Sequence, residues 1–258
     1  MSTQITYLVT GANRGIGKGF IQTLLQKPST TVIAAVRDPS NESSKALENL
    51  PKADGSKLVT VKLDASVESD AAAAVEELRT KHGITALDVV IANAGIGEGG
   101  STVRQTTIAN TLKHFTVNVI GTLALFHATA DLLKASKTGT PKFVALSTII
   151  GSLGSMELLA QFGFPATGSP YGGSKAALNW FVRRLHFEEP WLTSFVFHPG
   201  LVETDMAVAA VAGSGLALKD IGAISVDTSV TGMVKTIDAA TKDISGTFQV
   251  YDGSVLPW

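Results

Sequence analysis

The stretch YLVTGANRGIGKGF, Tyr7 to Phe20, decides the fold. An apolar run, Ile5–Val9, ends in glycines at positions 11, 15 and 17, and a helical pattern over Arg14–Gln26 begins among them. A strand that feeds glycines into a helix N-terminus lets backbone N–H groups approach a pyrophosphate, whose charge the helix dipole favours. A lone glycine triplet is weak, since turns also collect glycine. Placed between a first strand and a first helix, it points to dinucleotide binding through Gly11, Asn13, Arg14, Gly15, Ile16 and Gly17.

The rest of the chain repeats that alternation. Further strand candidates are Thr31–Val36, Leu58–Leu63, Leu87–Ala92, Phe143–Leu146, Ser194–Phe197 and Phe248–Tyr251, with helical patterns such as Ala71–Lys81 between them. Near-continuous apolar strands separated by helices require a parallel sheet covered on both faces. The expected fold is therefore one α/β domain over residues 1–258, a Rossmann-type doubly wound parallel sheet of about seven strands with helices on both faces. Residues 203–225, rich in Gly, Ala and Ser, read as a mobile loop with a short amphipathic piece.

Composition narrows the functions. The 258 residues carry a net charge of -1, which gives no field for nucleic acid. With no cysteine and five scattered histidines, neither disulfides, a thiol nucleophile nor a metal site is expected. No uninterrupted apolar run reaches membrane-helix length, and the first strand begins too early for a signal peptide, so the cytosol and no membrane partner are expected.

The second strand candidate ends at TVIAAVRDP, where a carboxylate for the adenosine ribose would stand. Val36 and Arg37 occupy that point, and Arg14 adds a second cation; two guanidinium groups suit a 2′-phosphate, hence NADP(H). Asp38 stands against this if it pairs with Arg37 or turns to a ribose hydroxyl. Plain surface arginines are the other alternative.

In SPYGGSKAALNWF, Tyr171 and Lys175 are four apart at the start of a helical pattern and so share one face. A phenol titrates near ~10 and is a poor acid or base at neutral pH. An ammonium ~4 Å away is worth ~4 kcal/mol at an effective dielectric of ~20, enough to lower that value substantially. Such a tyrosine could protonate an alkoxide. For an isolated YxxxK, a packed ring beside a snorkelling lysine would be the better reading.

The pair is not isolated. TGANRGIG, LDA at Leu63–Ala65, NAG at Asn93–Gly95, Asn118 within HFTVNVIGT, YGGSK and HPGLVET at His198–Thr204 together resemble the short-chain dehydrogenase/reductase family over essentially the whole chain. The opening and the ending SGTFQVYDGSVLPW resemble its fungal norsolorinic acid ketoreductase-like members. The resemblance implies that Tyr171 is the acid/base and that Lys175 lowers its pKa and holds the nicotinamide ribose. It implies that Asn118 holds a relay water behind Lys175, and that Asp64 and Ala65 face the adenine. Asn93, Ala94 and Gly95 would line the adenosine ribose and central strand, while Pro199, Val202 and Thr204 would meet the carboxamide.

The family's catalytic serine is usually the second of a Ser-Ser pair, three residues before a glycine. In VALSTIIG that position is Thr148, with Ser147 upstream and Gly151 downstream. Threonine can donate the same hydrogen bond, but its methyl restricts χ1 and crowds the site. Ser147, or an impaired site, stays open. Between Thr148 and Tyr171 lies an apolar insert with Leu153, Met156, Leu158, Leu159, Phe162 and Phe164. It suits a bulky, weakly charged ketone or hydroxy-aromatic compound, with Thr148, Leu153, Phe162 and Phe164 as substrate contacts; packing against the sheet or a second subunit is the alternative.

The expected function is NADPH-dependent reduction of a ketone, or oxidation of the alcohol, by a homodimer or homotetramer. A cofactor-binding regulator without turnover would have no reason to keep Asn118, Tyr171 and Lys175 together. A sugar-nucleotide epimerase or dehydratase shares YxxxK but needs a larger C-terminal substrate region than the stretch from Tyr171 to Trp258 offers.

Overall fold

The computed structural model describes residues 4–258, apart from 99, 162–167, 213, 214 and 216. Its strands are β1 (Ile5–Thr10), β2 (Thr30–Val36), β3 (Lys57–Lys62), β4 (Val89–Ala92), β5 (Lys142–Leu146), β6 (Thr193–His198), β7 (Phe248–Val250) and β8 (Val255–Leu256). Its helices are α1 (Gly15–Leu25), α2 (Glu42–Lys45), α3 (Glu68–His82), α4 (Ile108–Phe115), α5 (Gly121–Lys134), α6 (Met156–Gln161), α7 (Ser169–Glu188), α8 (Asp205–Val211) and α9 (Val226–Ala239).

The strands form one sheet in the order β3-β2-β1-β4-β5-β6-β7-β8. All neighbours pair in parallel except β7 and β8. The expected sheet of about seven strands is present, with a short eighth strand at its edge. The extra one is a two-residue antiparallel edge formed when the chain doubles back at Gly253, whose φ of +90° suits glycine. A run that short has no periodicity to read.

Alternation along the strands divides the core. Leu8, Ile33, Val90, Phe143 and Val196 face one side, where they pack with α3, α5 and α7. Their neighbours Val9, Val32, Ile91, Val144 and Phe197 face the other, with α1 and α9. Burial on both faces accounts for the continuous apolar runs. Each buried Leu, Ile, Val or Phe contributes roughly 1.5–3 kcal/mol against leaving it exposed.

Ile108 to Lys134 run as one helix of 27 residues, long and apolar enough by length and composition to cross a membrane, yet half of its apolar window is buried within the fold. It is a core helix with a single π turn, Thr116–Ile120, at its middle. Gly121 lets it cross the end of β3, since a Cβ there would lie 2.3 Å from the Ala65 carbonyl oxygen. In the expected loop region 203–225, α8 is the short helical piece.

Strand order reverses between β1 and β4. The carboxyl ends of β1, β4, β5 and β6 meet there, each followed by one of the sequence motifs, which is where open α/β sheets bind ligands.

Candidate active site

At the end of β1 the chain turns through Gly11 (φ +63°) and Gly15 (φ +50°) into α1. Packing there leaves no room for side chains: a Cβ on Gly17 would stand 2.1 Å from the Gly11 carbonyl oxygen. Arg14 occupies the N-cap position without a side-chain cap bond, and the first turn of α1 holds no acid. The leading N–H groups of α1 thus keep their need for an acceptor, as a bound pyrophosphate requires. Asn93 braces this turn by donating from Nδ2 to the Thr10 and Gly11 carbonyls at 2.8 and 3.2 Å, and the Thr10 hydroxyl accepts from the Asn93 and Ala94 N–H groups. Its amide supports the glycine turn rather than facing the cleft.

Arg14 and Arg37 are both exposed, and among the described residues neither makes an ion pair. Asp38 does not engage Arg37. Its carboxylate accepts from the Ser40 N–H at 2.8 Å and hydroxyl at 2.6 Å, bonds that hold it below the usual carboxylate range. Asn13 donates to the Ser43 hydroxyl at 2.7 Å and so ties the glycine loop to α2. Asp64 closes a similar turn with Ser66 through Oδ1, beside Ala65.

The two hydroxyls after β5 separate cleanly. Ser147 is buried and donates to Asn179 Oδ1 at 2.5 Å, on the core side of α7. Thr148 caps the next turn by accepting from the Ile150 N–H at 3.3 Å. That bond uses a lone pair and leaves the hydroxyl hydrogen available to another acceptor. His198 accepts from the Ile149 N–H through Nδ1 at 3.3 Å, and burial lowers its pKa to about 4, so the ring is neutral and steadies the same turn.

Tyr171 and Lys175 lie one turn apart on α7, as their spacing predicts. The electrostatics differ from expectation. Lys175 Nζ lies 5.9 Å from the Tyr171 ring centroid and donates to the Leu146 carbonyl at 2.7 Å. Burial pushes the phenol up to about 12 and brings the ammonium down to about 8. The expected lowering of the phenol by Lys175 is absent, because desolvation outweighs an ammonium directed at a carbonyl. Asn118 is fully buried in the π turn. It accepts from the Ile96 N–H at 2.9 Å and donates to the Ile96 carbonyl and the Ser174 hydroxyl at 3.0 and 2.9 Å. Gly95 sits between Asn118 and Lys175, since a Cβ there would be 3.2 Å from Asn118 Oδ1 and 3.4 Å from Lys175 Nζ.

After β6, the Pro199 carbonyl accepts from Ser229, Val202 bridges to Ile224, and Thr204 caps α8 with its methyl beside Gly15. Leu153, Met156 and Leu158 are exposed along the insert, while Phe162 and Phe164 lie outside the described residues. Two contacts escaped the motif reading. A Cβ on Gly97 would lie 3.3 Å from Met206 Sδ and 3.5 Å from the Tyr171 ring, and His114 meets that ring edge-on at 6.4 Å. The one sequence signal for His114 is its place four residues before Asn118.

Uncapped N–H donors, two exposed guanidinium groups, a tyrosine–lysine pair and the Thr148 hydroxyl thus follow the carboxyl ends of the strands at the switch point. The chain belongs to the short-chain dehydrogenase family, whose model matches residues 6–214. It is 43% identical to norsolorinic acid ketoreductase nor1 of Dothistroma septosporum over all of this chain and 94% of that protein. It is 40% identical to norsolorinic acid ketoreductase of Aspergillus parasiticus, over 99% of this chain and 92% of that one. Among solved structures, NADPH-bound carbonyl reductase from chicken fatty liver superposes with a TM-score of 0.84 at 31% identity, covering 100% of both chains.

Proposed function

We propose that this protein is an NADPH-dependent ketoreductase acting on a bulky, apolar ketone. The observation that carries the reading is the Thr148 hydroxyl, which accepts from the Ile150 N–H and keeps its hydrogen for another acceptor, at the start of a turn packed against α7, the helix of Tyr171 and Lys175. Relatives named for ketone reduction and a similar NADPH-bound reductase support it.

Gly11, Gly15, Ile16 and Gly17 hold the pyrophosphate, Arg14 and Arg37 the 2′-phosphate, and Asp64 and Ala65 flank the adenine. Asn93, Ala94 and Gly95 form the floor; Pro199, Val202 and Thr204 hold the carboxamide end. The bound cofactor supplies a hydride for the carbonyl carbon. Thr148 donates a hydrogen bond to the substrate oxygen and fixes it in place. Tyr171 gives its phenolic proton to that oxygen as charge develops, which completes the alcohol. Lys175 favours the phenolate left behind, and Asn118 keeps the Ile96 backbone and Ser174 in register with it. Leu153, Met156 and Leu158 form an apolar rim for the ketone.

The test is NADPH oxidation over a panel of 2-acetonaphthone, cyclohexanone and ethyl acetoacetate, repeated with NADH. Turnover greatest on the aryl ketone with NADPH is expected; no turnover on any of them would overturn the reading.

A further inference from the structure

We propose that His114 is a positioning residue for Tyr171, acting through the backbone of the loop after β4. The inference rests on the assignment of Tyr171 as proton donor.

His114 is 0% exposed, and both ring nitrogens are engaged. Nδ1 lies 2.9 Å from the Asn110 carbonyl one turn back, and Nε2 accepts from the Glu98 N–H at 3.3 Å. A carbonyl can only accept and a backbone N–H can only donate, so the hydrogen is on Nδ1 and the lone pair on Nε2. One turn further along the same helix, Asn118 holds the N–H and carbonyl of Ile96. The two side chains therefore pin the residues on either side of Gly97. Gly97 in turn has its Cβ direction filled by the Cδ2 and Cε2 edge of Tyr171, at 3.5 Å, and by Met206 Sδ. The His114 ring itself meets Tyr171 at 65°.

Tyr171 is thus held between a pinned main chain and an imidazole edge. The phenolic oxygen lies on the Cβ–Cγ axis, so it moves only when the side chain turns about Cα–Cβ, and the Gly97 loop against the ring edge limits that turn. Releasing the Glu98 N–H lets Gly97 move and carries the phenolic oxygen away from the substrate oxygen. Displacements of ~1 Å at a reacting group cost up to ~10²-fold in rate.

Two amide replacements separate this role from bulk packing. In His114→Gln the amide oxygen reaches the Nε2 position and still accepts from Glu98. In His114→Asn the amide reaches only the Nδ1 position, which leaves the Glu98 N–H without its acceptor. With NADPH and 2-acetonaphthone, His114→Asn is expected to lower kcat about ten-fold or more, and His114→Gln to stay within about three-fold of the parent. The KM for NADPH should change less than about two-fold in both. Amide exchange at Glu98 in the cofactor-free protein should quicken in His114→Asn only. Lys113→Ala, which removes the exposed ion pair to the Glu98 side chain and leaves its N–H alone, should keep the parent kcat. Equal kcat and equal Glu98 exchange in the two His114 variants, whether both high or both low, overturns the proposal. Tyr171→Phe run alongside keeps the two ideas apart: if it retains full turnover, the proton-donor assignment fails; if it is inactive while the His114 variants match, only the positioning role fails.

Discussion

The Nζ of Lys175 lies 2.7 Å from the carbonyl oxygen of Leu146, the last residue of β5 and the one before Ser147. The lysine thereby ties α7 to the strand that delivers the two hydroxyls. Its charge faces a main-chain dipole, and the neighbouring phenol stays protonated at neutral pH.

The direction of catalysis should follow. Reduction needs the phenol protonated, and burial keeps it so up to about pH 12. The lysine loses its charge above about pH 8. In the cofactor-bound enzyme, the rate of ketone reduction is therefore expected to be level from about pH 6 to 8 and to fall above that. Alcohol oxidation needs the phenolate and should climb with pH. Initial rates in both directions between about pH 6 and 10 check this, and reduction that rises with pH contradicts it.

Thr148→Ala should lower kcat by about 10²-fold, the usual cost of losing a donor to a developing oxyanion. Ser147→Ala strands the Asn179 amide oxygen and should lower the melting temperature more than the turnover. Thr148→Ser keeps the donor and should stay active. Steady-state kinetics on the three variants decide the matter; a dead Ser147→Ala beside a healthy Thr148→Ala would reverse the assignment.

Arg37 is exposed and Asp38 is occupied with Ser40, so the guanidinium is left for a 2′-phosphate. The preference for NADPH over NADH in kcat/KM should be about 100-fold, within reach of two charge-assisted contacts at ~1.5–3 kcal/mol each. Arg37→Ala should lose most of that preference and keep the NADH rate. Equal use of both cofactors by the parent would sink the idea.

On the outer side of α7, Trp180 is 60% exposed and Phe187 61%, and Arg184 stacks 5.8 Å from the Trp180 ring. Apolar surface of this kind on one helix suits a symmetric contact between copies. Light scattering at micromolar concentration should give a multiple of 26.9 kDa, and Trp180→Glu should reduce it. A single-chain mass for the parent is the contrary result.

The strands were legible because both faces of the sheet are buried, which makes each strand a continuous apolar run. β8 was not, since its two residues are held by the turn before them and by the edge of β7. The glycine turn, Tyr171 and Lys175 could be read because their chemistry depends on local spacing. The different surroundings of Ser147, which donates to Asn179 on α7, and Thr148, which accepts from the Ile150 N–H, do not show in the sequence. The sense of the Tyr171 shift needed its burial, which spacing cannot supply. His114 carried only its distance from Asn118, and its importance comes from a loop sixteen residues earlier in the chain.

The loop that follows Thr148 is finished from far away. Ser152 donates to the Pro257 carbonyl across a separation of 105 residues, the Gly154 N–H donates to the Trp258 carbonyl at 2.7 Å, and Arg183 lies 5.0 Å from the Trp258 ring. During synthesis on the ribosome, β1 to β5 can assemble while this loop still lacks its backing. Contacts so distant in sequence close late, because the loop entropy between them must be met first. A nascent chain arrested before residue 256 would have the glycine turn and the helix of Tyr171 and Lys175 but an unsupported loop at Ser152–Gly154, so competence to bind cofactor should arise earlier in translation than competence to turn over.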